Sequence, residues 1–383
     1  MPSDRPSPEP PTGPGRLAAL DGLRLVAAVM VAAYHFLGTP TPHFWGPTEL
    51  RDLAPFLHGI SRYGWLGVEF FFAISGFVIC MSCWGRTPAQ FAVSRVARLF
   101  PAYWCAVLLV VALVLVSRLG HWSAATRIDP RTVLGNLTMA PGPLGLDLVD
   151  GVSWTLWVEA RFYLLMAVLL VFGLSYRRVV TFCGAWLLAG VVTLELHSPL
   201  LEEFVLPRYT GLFVAGIVLH LMHRFGQSLL LWLLLGFAWS YQLTVLELRV
   251  ADHAAVPPGE SRPSWAVCAV LLTVCLGLLA LAGVEGTLAR LRWRWLVTAG
   301  GLTYPFYLVH QSIGIPLAKG LIRAFPKLGP LPSMVVSVAC ALALSLLIHT
   351  TVERRLGRLL RHRLTLDIRA RDLAAKPVPA RTR

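Results

Sequence analysis

The stretch LAALDGLRLVAAVMVAAYHF, Leu17 to Phe36, sets the reading of the whole chain. Its 20 residues are almost all apolar and long enough to cross a bilayer as a helix, which needs about 20 residues. Yet it carries Asp21, Arg24 and His35. On a uniform helix the step from Arg24 to His35 is about three turns, which places both side chains on one face about 16 Å apart. Charged groups facing lipid cost free energy, so this face is expected to look into a bundle interior or a wet cavity.

The bulk composition agrees. Of 383 residues, 56% are hydrophobic and 14% charged, and the mean hydropathy of +0.64 lies far above that of soluble globular chains. The fold class is all-α, a polytopic membrane protein whose partner surface is the lipid bilayer. A net charge of +14 raises the question of nucleic acid. The arginines sit in short loops and a tail between apolar runs, however, so the positive-inside rule accounts for them and no nucleic-acid partner is expected. Seven cysteines fall almost wholly inside apolar segments and read as small packers. Cys80 and Cys83 spell C-x-x-C with no second pair or nearby His, so no metal site is expected.

Apolar runs of about 17 to 25 residues give about ten transmembrane helices. They lie near Leu17 to Leu37, Arg62 to Trp84, Ala102 to Leu119, Val152 to Gly173, Arg178 to Leu196, Glu203 to Met222, Gln227 to Leu246, Ser264 to Val284, Arg294 to Ala318 and Leu331 to Val352. Lys and Arg are about twice as frequent on one side of these spans, which puts both termini in the cytoplasm. Residues 1–16 read as a disordered N-terminal tail, 17–352 as the transmembrane domain, and 353–383 as a basic cytoplasmic tail, solvated or at lipid headgroups. A multi-pass protein of a bacterial plasma membrane is the expected location.

With this orientation the polar residues fall at two depths. His35, Glu69 in GWLGVEFFFAISGF, Glu159 in SWTLWVEARFYLL and His310 in LTYPFYLVHQ occupy the outer half. Each alone reads equally as a hydrogen-bonded packer or an ion-pair member, with Arg161 as a partner for a carboxylate. Four groups at one level point to a polar cavity, with His35 the first choice for proton transfer. Arg24 lies in the inner half, and Arg95 and Arg98 in SRVARLFP stand i, i+3 at the inner surface. Beside a span such arginines read first as topology; three together also suit phosphate, as in a phosphate-rich cytoplasmic donor. No G-x-S-x-G or H-E-x-x-H sequence supports a serine or zinc hydrolase. Gly64, Gly67, Gly76, Gly300, Gly301 and Gly314 read as points of close helix packing.

Five stretches taken together, LDGLR with His35, GWLGVEFFFAISGFVI, SRVARLFP, SWTLWVEARFYLL and LTYPFYLVHQ, resemble the motifs of the membrane acyltransferase family 3 in order and spacing. The resemblance runs from about Leu17 to Val352. It implies a ten-helix domain that moves an acyl group, commonly acetyl, from cytoplasmic acyl-CoA to a hydroxyl of a carbohydrate such as a cell-surface polysaccharide. On the matching positions His35 is the family's essential histidine, Arg24 the arginine of its first motif, and Arg95 and Arg98 its R-x-x-R pair. The fourth-span motif departs from the family's two adjacent acids: Glu159 is followed by Ala160 and Arg161, so one carboxylate carries over. No fused hydrolase-like domain follows the tenth span, so a two-stage relay is not expected.

The expected catalytic set is therefore His35, Glu159, Glu69 and His310. Arg24, Arg95 and Arg98 would hold the donor's phosphates, with acyl-CoA as substrate and no permanently bound cofactor. An O-acyltransferase tailoring a glycosylated secondary metabolite, such as a macrolide, fits the same residues. A transporter that conducts a proton or solute along the polar stripe without chemistry is the alternative from another class, against which stands the lack of an inverted repeat. Oligomeric state is not legible.

Overall fold

The computed structural model describes residues 14–39, 44–46, 49–119, 128–253, 262–283 and 294–374. The sequence reading of a disordered tail falls almost wholly on residues 1–13, outside the described set. Among the described residues all regular structure is helical. The long helices are α1 (Pro14–Ala33), α2 (Leu66–Cys83), α3 (Pro88–Leu119), α4 (Trp154–Val171), α5 (Tyr176–Leu196), α6 (Thr210–Phe225), α7 (Leu229–Asp252), α8 (Trp265–Gly283), α9 (Arg294–Val309), α10 (Pro330–Leu347) and α11 (Arg354–Ala374). Helix is what lipid demands, since every backbone polar group must find its partner within the segment. Where chain ends meet the interface, side chains supply the partners: Ser175 and Ser228 accept from the amides of Arg178 and Leu231 at the starts of α5 and α7.

Nine helical segments among the described residues are long and apolar enough to cross a membrane. They correspond to the expected spans except the ninth. That span is present as α9, which runs on through a π-turn, His310–Gly314, into the short helix Ile315–Ala324. It falls outside the nine because Thr303, Tyr304, Tyr307, His310, Gln311 and Ser312 dilute its apolar run. These are the residues of the site described below.

The two largest of the four buried clusters among the described residues divide the bundle. One joins Phe70, Phe77, Phe162, Leu187, Phe213 and Leu279 from α2, α4, α5, α6 and α8. The other joins Ala28, Ala102, Val107, Leu308 and Ala341 from α1, α3, α9 and α10. Phe71 and Tyr163 pack against both, so the seam between the clusters runs beside α2 and α4. The expected close packing at glycine is present on either side of that seam. A Cβ on Gly76 would sit 2.2 Å from the Phe213 carbonyl oxygen of α6, and one on Gly300 would sit 2.3 Å from Cβ of Asp21. Any side chain there would force the helices apart.

Three π-turns interrupt otherwise α-helical rods: Tyr34–Gly38 after α1, His310–Gly314 after α9, and Ile348–Glu353 between α10 and α11. Each holds a histidine, His35, His310 or His349. A π-turn takes an extra residue into one turn and so re-aims the side chains that follow, which is why such turns gather at functional sites. The third also alters the expected C-terminal tail. From Arg354 the chain does not leave the protein but continues as α11, which packs along α3. A Cβ on Gly357 would lie 2.8 Å from the Ala97 carbonyl oxygen. That carbonyl is available because Pro101, four residues on in α3, has no N–H to give it.

Candidate active site

The cavity on the seam is built from five helices. Arg24 comes from α1, Ser75 from α2, Arg95 and Arg98 from α3, Thr155, Glu159 and Tyr163 from α4, and Thr303, Tyr304 and Tyr307 from α9. The three arginines singled out by sequence therefore line one space, and Glu159 lines it with them.

Each arginine is differently neutralised. Arg24 donates to Asp21 at 3.2 Å, the i, i+3 pairing that the sequence suggests. Arg98 donates to the buried Glu353, which also contacts Nδ1 of His349 at 2.8 Å. Arg95 bonds only the Ser94 hydroxyl, at 3.2 Å, and lies over the rings of Phe91 and Tyr163. It has no carboxylate partner among the described residues. A guanidinium held by two aromatic faces keeps its fork of donors for an anion.

Glu159 is the cavity's carboxylate. It accepts a hydrogen bond from Ser75 Oγ at 2.7 Å. The Arg161 partnership weighed from sequence does not form with Glu159, because Arg161 is turned to Glu203 at 2.8 Å.

At the far end of the cavity stands Tyr307. Its hydroxyl meets Thr155 Oγ1 at 2.9 Å, and its ring lies 5.7 Å, centroid to centroid, from that of His310. His310 in turn lies 5.3 Å from His35 by the same measure. The two histidines foremost in the sequence reading, 275 residues apart, are thus neighbours on two π-turns. Nδ1 of the buried His310 is 2.8 Å from the Tyr307 carbonyl oxygen and 3.2 Å from that of Phe306. Carbonyls only accept, so Nδ1 carries the hydrogen and Nε2 keeps its lone pair. That Nε2 is buried with no hydrogen-bond partner among the described residues. A buried acceptor without a donor is costly, and here it sits beside a second imidazole, behind the Tyr307 ring that lines the cavity.

The turn holding His310 is pinned by an acid at the foot of α4 that carries no motif. Asp150, 1% exposed, accepts a hydrogen bond from Ser312 Oγ. Its second carboxylate oxygen is buried without a hydrogen-bond partner among the described residues. Burial pushes its carboxyl up to about 7, with the Ser312 bond opposing.

Glu69 lies apart from the other expected site residues. It is buried and paired with Arg249 at 2.9 Å, and Arg249 also reaches Asp252 at 3.2 Å. Asp252 pairs with Arg208, and Arg249 lies over the rings of Trp65 and Tyr209. No hydrogen bond or ion pair among the described residues joins Glu69 to His35, His310 or the arginines of the cavity. The carboxylate matches the others in depth along its span, but its partner on α7 takes it up. Sequence could have flagged Tyr304 and Tyr307, which flank Pro305 in the quoted motif, yet nothing local marks Ser75 or Glu353 as members.

A bundle of membrane-spanning helices around a cavity lined by three arginines and a glutamate, with a pair of imidazoles behind the Tyr307 wall, fits a multi-pass membrane enzyme of the transferase kind. The chain belongs to the acyltransferase 3 family, whose acyltransferase domain matches residues 17–350. It is 28% identical over 404 aligned positions to Acyltransferase MdmB of Streptomyces mycarofaciens, covering 95% of this chain and 96% of that protein. No solved structure matches. The protein is a membrane acyltransferase.

Proposed function

We propose that the enzyme carries an acyl group, acetyl in the simplest case, from acyl-CoA on the cytoplasmic side to a hydroxyl of a carbohydrate on the other side of a bacterial plasma membrane. A cell-surface polysaccharide is the favoured acceptor class. The observation that carries this reading is the single cavity lined by Arg24, Arg95 and Arg98 that ends on Tyr307, whose ring abuts His310 beside His35.

In this mechanism the arginines take the donor's phosphates and the pantetheine arm lies along the cavity past Glu159. The thioester carbonyl stops at the histidine pair. His35, the less buried of the two, takes the proton from the acceptor hydroxyl as its oxygen attacks the carbonyl carbon. The carbon–sulfur bond breaks, and the departing thiolate collects the proton from the imidazolium. His310 presents Nε2 as an acceptor, so it orients His35 or the incoming hydroxyl. Tyr307 and Glu159 hold the wall against which the arm lies.

Purified enzyme in lipid nanodiscs, given labelled acetyl-CoA and a panel of glycans and glycosylated metabolites, tests the reading. Free CoA thiol should appear only when an acceptor is present, with the product heavier by one acetyl group. If no acceptor elicits thiol release and a solute crosses the membrane instead, the transporter alternative replaces this one.

A further inference from the structure

Arg98 also lines a second groove, together with Arg354, Arg358 and Arg361, Glu353 and His349. Its volume is about 470 Å³ against about 130 Å³ for the seam cavity. Arg98 is the residue common to both linings.

The chemistry of this groove is one-sided. Arg354, Arg358 and Arg361 stand at i, i+4 and i+7 on α11 and share a face. All are exposed, and none has a carboxylate partner among the described residues. Arg358 gives its Nε to the Arg354 carbonyl oxygen at 2.9 Å, which leaves its terminal nitrogens outward. The groove's own carboxylate, Glu353, is consumed by Arg98 and His349. Nor is the helix a loose basic tail, since Gly357 seats it against the Ala97 carbonyl of α3.

We propose that α11 forms the nucleotide end of the donor site, with Arg354, Arg358 and Arg361 binding the 3′-phosphate and pyrophosphate of CoA while the arm enters the seam cavity past Arg98. This rests on the acyl-CoA reading above and extends it to residues beyond the family match, which ends at residue 350. The order of spaces follows the order of the molecule: a wide polyanionic head, a thin arm, and a thioester at its tip. Guanidinium forks match phosphate oxygens two at a time, and three on one face suit a ligand with phosphates at two points. Anionic lipid headgroups carry the same phosphate chemistry, so the test must separate them.

The full chain with Arg354→Gln, Arg358→Gln and Arg361→Gln, in nanodiscs of zwitterionic lipid, is compared with the unaltered protein. Binding of CoA and of 3′-dephospho-CoA is measured, and turnover is followed with acetyl-CoA and with acetyl-pantetheine, which lacks the nucleotide. CoA affinity should fall about tenfold, a loss of the size that charge-assisted bonds supply. The preference for CoA over 3′-dephospho-CoA should shrink, and turnover of acetyl-pantetheine should be unchanged, which also reports intact folding. Unchanged CoA affinity overturns the proposal, and a parallel set of nanodiscs containing phosphatidylglycerol, in which only the unaltered protein gains stability, would assign the three arginines to headgroup binding instead. A loss of acetyl-pantetheine turnover equal to that of acetyl-CoA also overturns it. An unaltered protein that neither binds nor consumes acyl-CoA overturns the donor reading itself.

Discussion

Glu69 and Glu159 both lie in apolar helices, one on α2 and one on α4, and the structure treats them in opposite ways. Glu69 is closed into an ion network with Arg249, Asp252 and Arg208 under the rings of Trp65 and Tyr209. Glu159 meets a serine hydroxyl and faces a cavity with three arginines. A carboxylate in a membrane protein is tolerated either by a dedicated partner or by a polar space that admits water or substrate. The first arrangement holds the bundle together, and the second leaves the group for chemistry or binding. Depth in the bilayer is common to both and distinguishes neither.

The largest effect expected on the cavity side is at its histidine end. His35→Ala should lower acyl transfer by about 10²- to 10⁴-fold, the usual worth of a positioned general base, while the protein elutes and melts as before. Turnover within a few fold of normal would remove His35 from the mechanism. On the closed side, Glu69→Gln should destabilise the protein by about 3–5 kcal/mol, since it leaves Arg249 buried with only half-exposed Asp252 for a partner. Thermal unfolding in nanodiscs measures this, and Glu159→Gln is the contrast, expected to lose transfer with little loss of melting temperature. If Glu69→Gln melts normally and fails in catalysis, the two carboxylates have been assigned the wrong way round.

A smaller effect separates the arginines. Arg95→Gln should raise KM for acyl-CoA about tenfold at unchanged stability, because no protein carboxylate depends on Arg95. Arg98→Gln should cost both, because Glu353 is buried against it. Equal melting temperatures for the two variants would contradict this division. A separate effect, read against pH, concerns Asp150. Its carboxyl ionises ordinarily near 3.8 and in the fold near 7, so across that window the unfolded chain has lost a proton that the folded chain keeps. Stability from this group is therefore fully present below about 3.8 and falls as pH rises to about 7. Asp150→Asn should flatten that slope in melting temperature against pH, and a slope unchanged by the substitution would assign it to other groups.

These contrasts mark what the amino-acid sequence could and could not convey. Apolar runs of span length locate the helices because lipid leaves the backbone no alternative, and the Asp21–Arg24 pair is legible because it is local. The three arginines and His35 stood out as charges on an apolar background. The pairing of Glu69 with Arg249 spans 180 residues and depends on how α2 meets α7, which no local pattern records. The π-turns are equally silent, since a run such as YHFLG looks like any other end of a helix, yet they bring His35 and His310 together. The C-terminal arginines read as a solvated tail because composition does not reveal that Gly357 docks α11 on a carbonyl freed by Pro101.

The central claim is that the seam cavity is the route by which the donor's thioester reaches the histidine pair. The most direct measurement is a cryo-electron microscopy structure of the enzyme in nanodiscs with a non-transferable acyl-CoA thioether analogue. The account predicts continuous density from the arginines, past Glu159 and Tyr163, to an acyl group at Tyr307 and the rings of His35 and His310. Density for the analogue outside this cavity, with the space between Arg95 and Tyr307 unfilled, would contradict it.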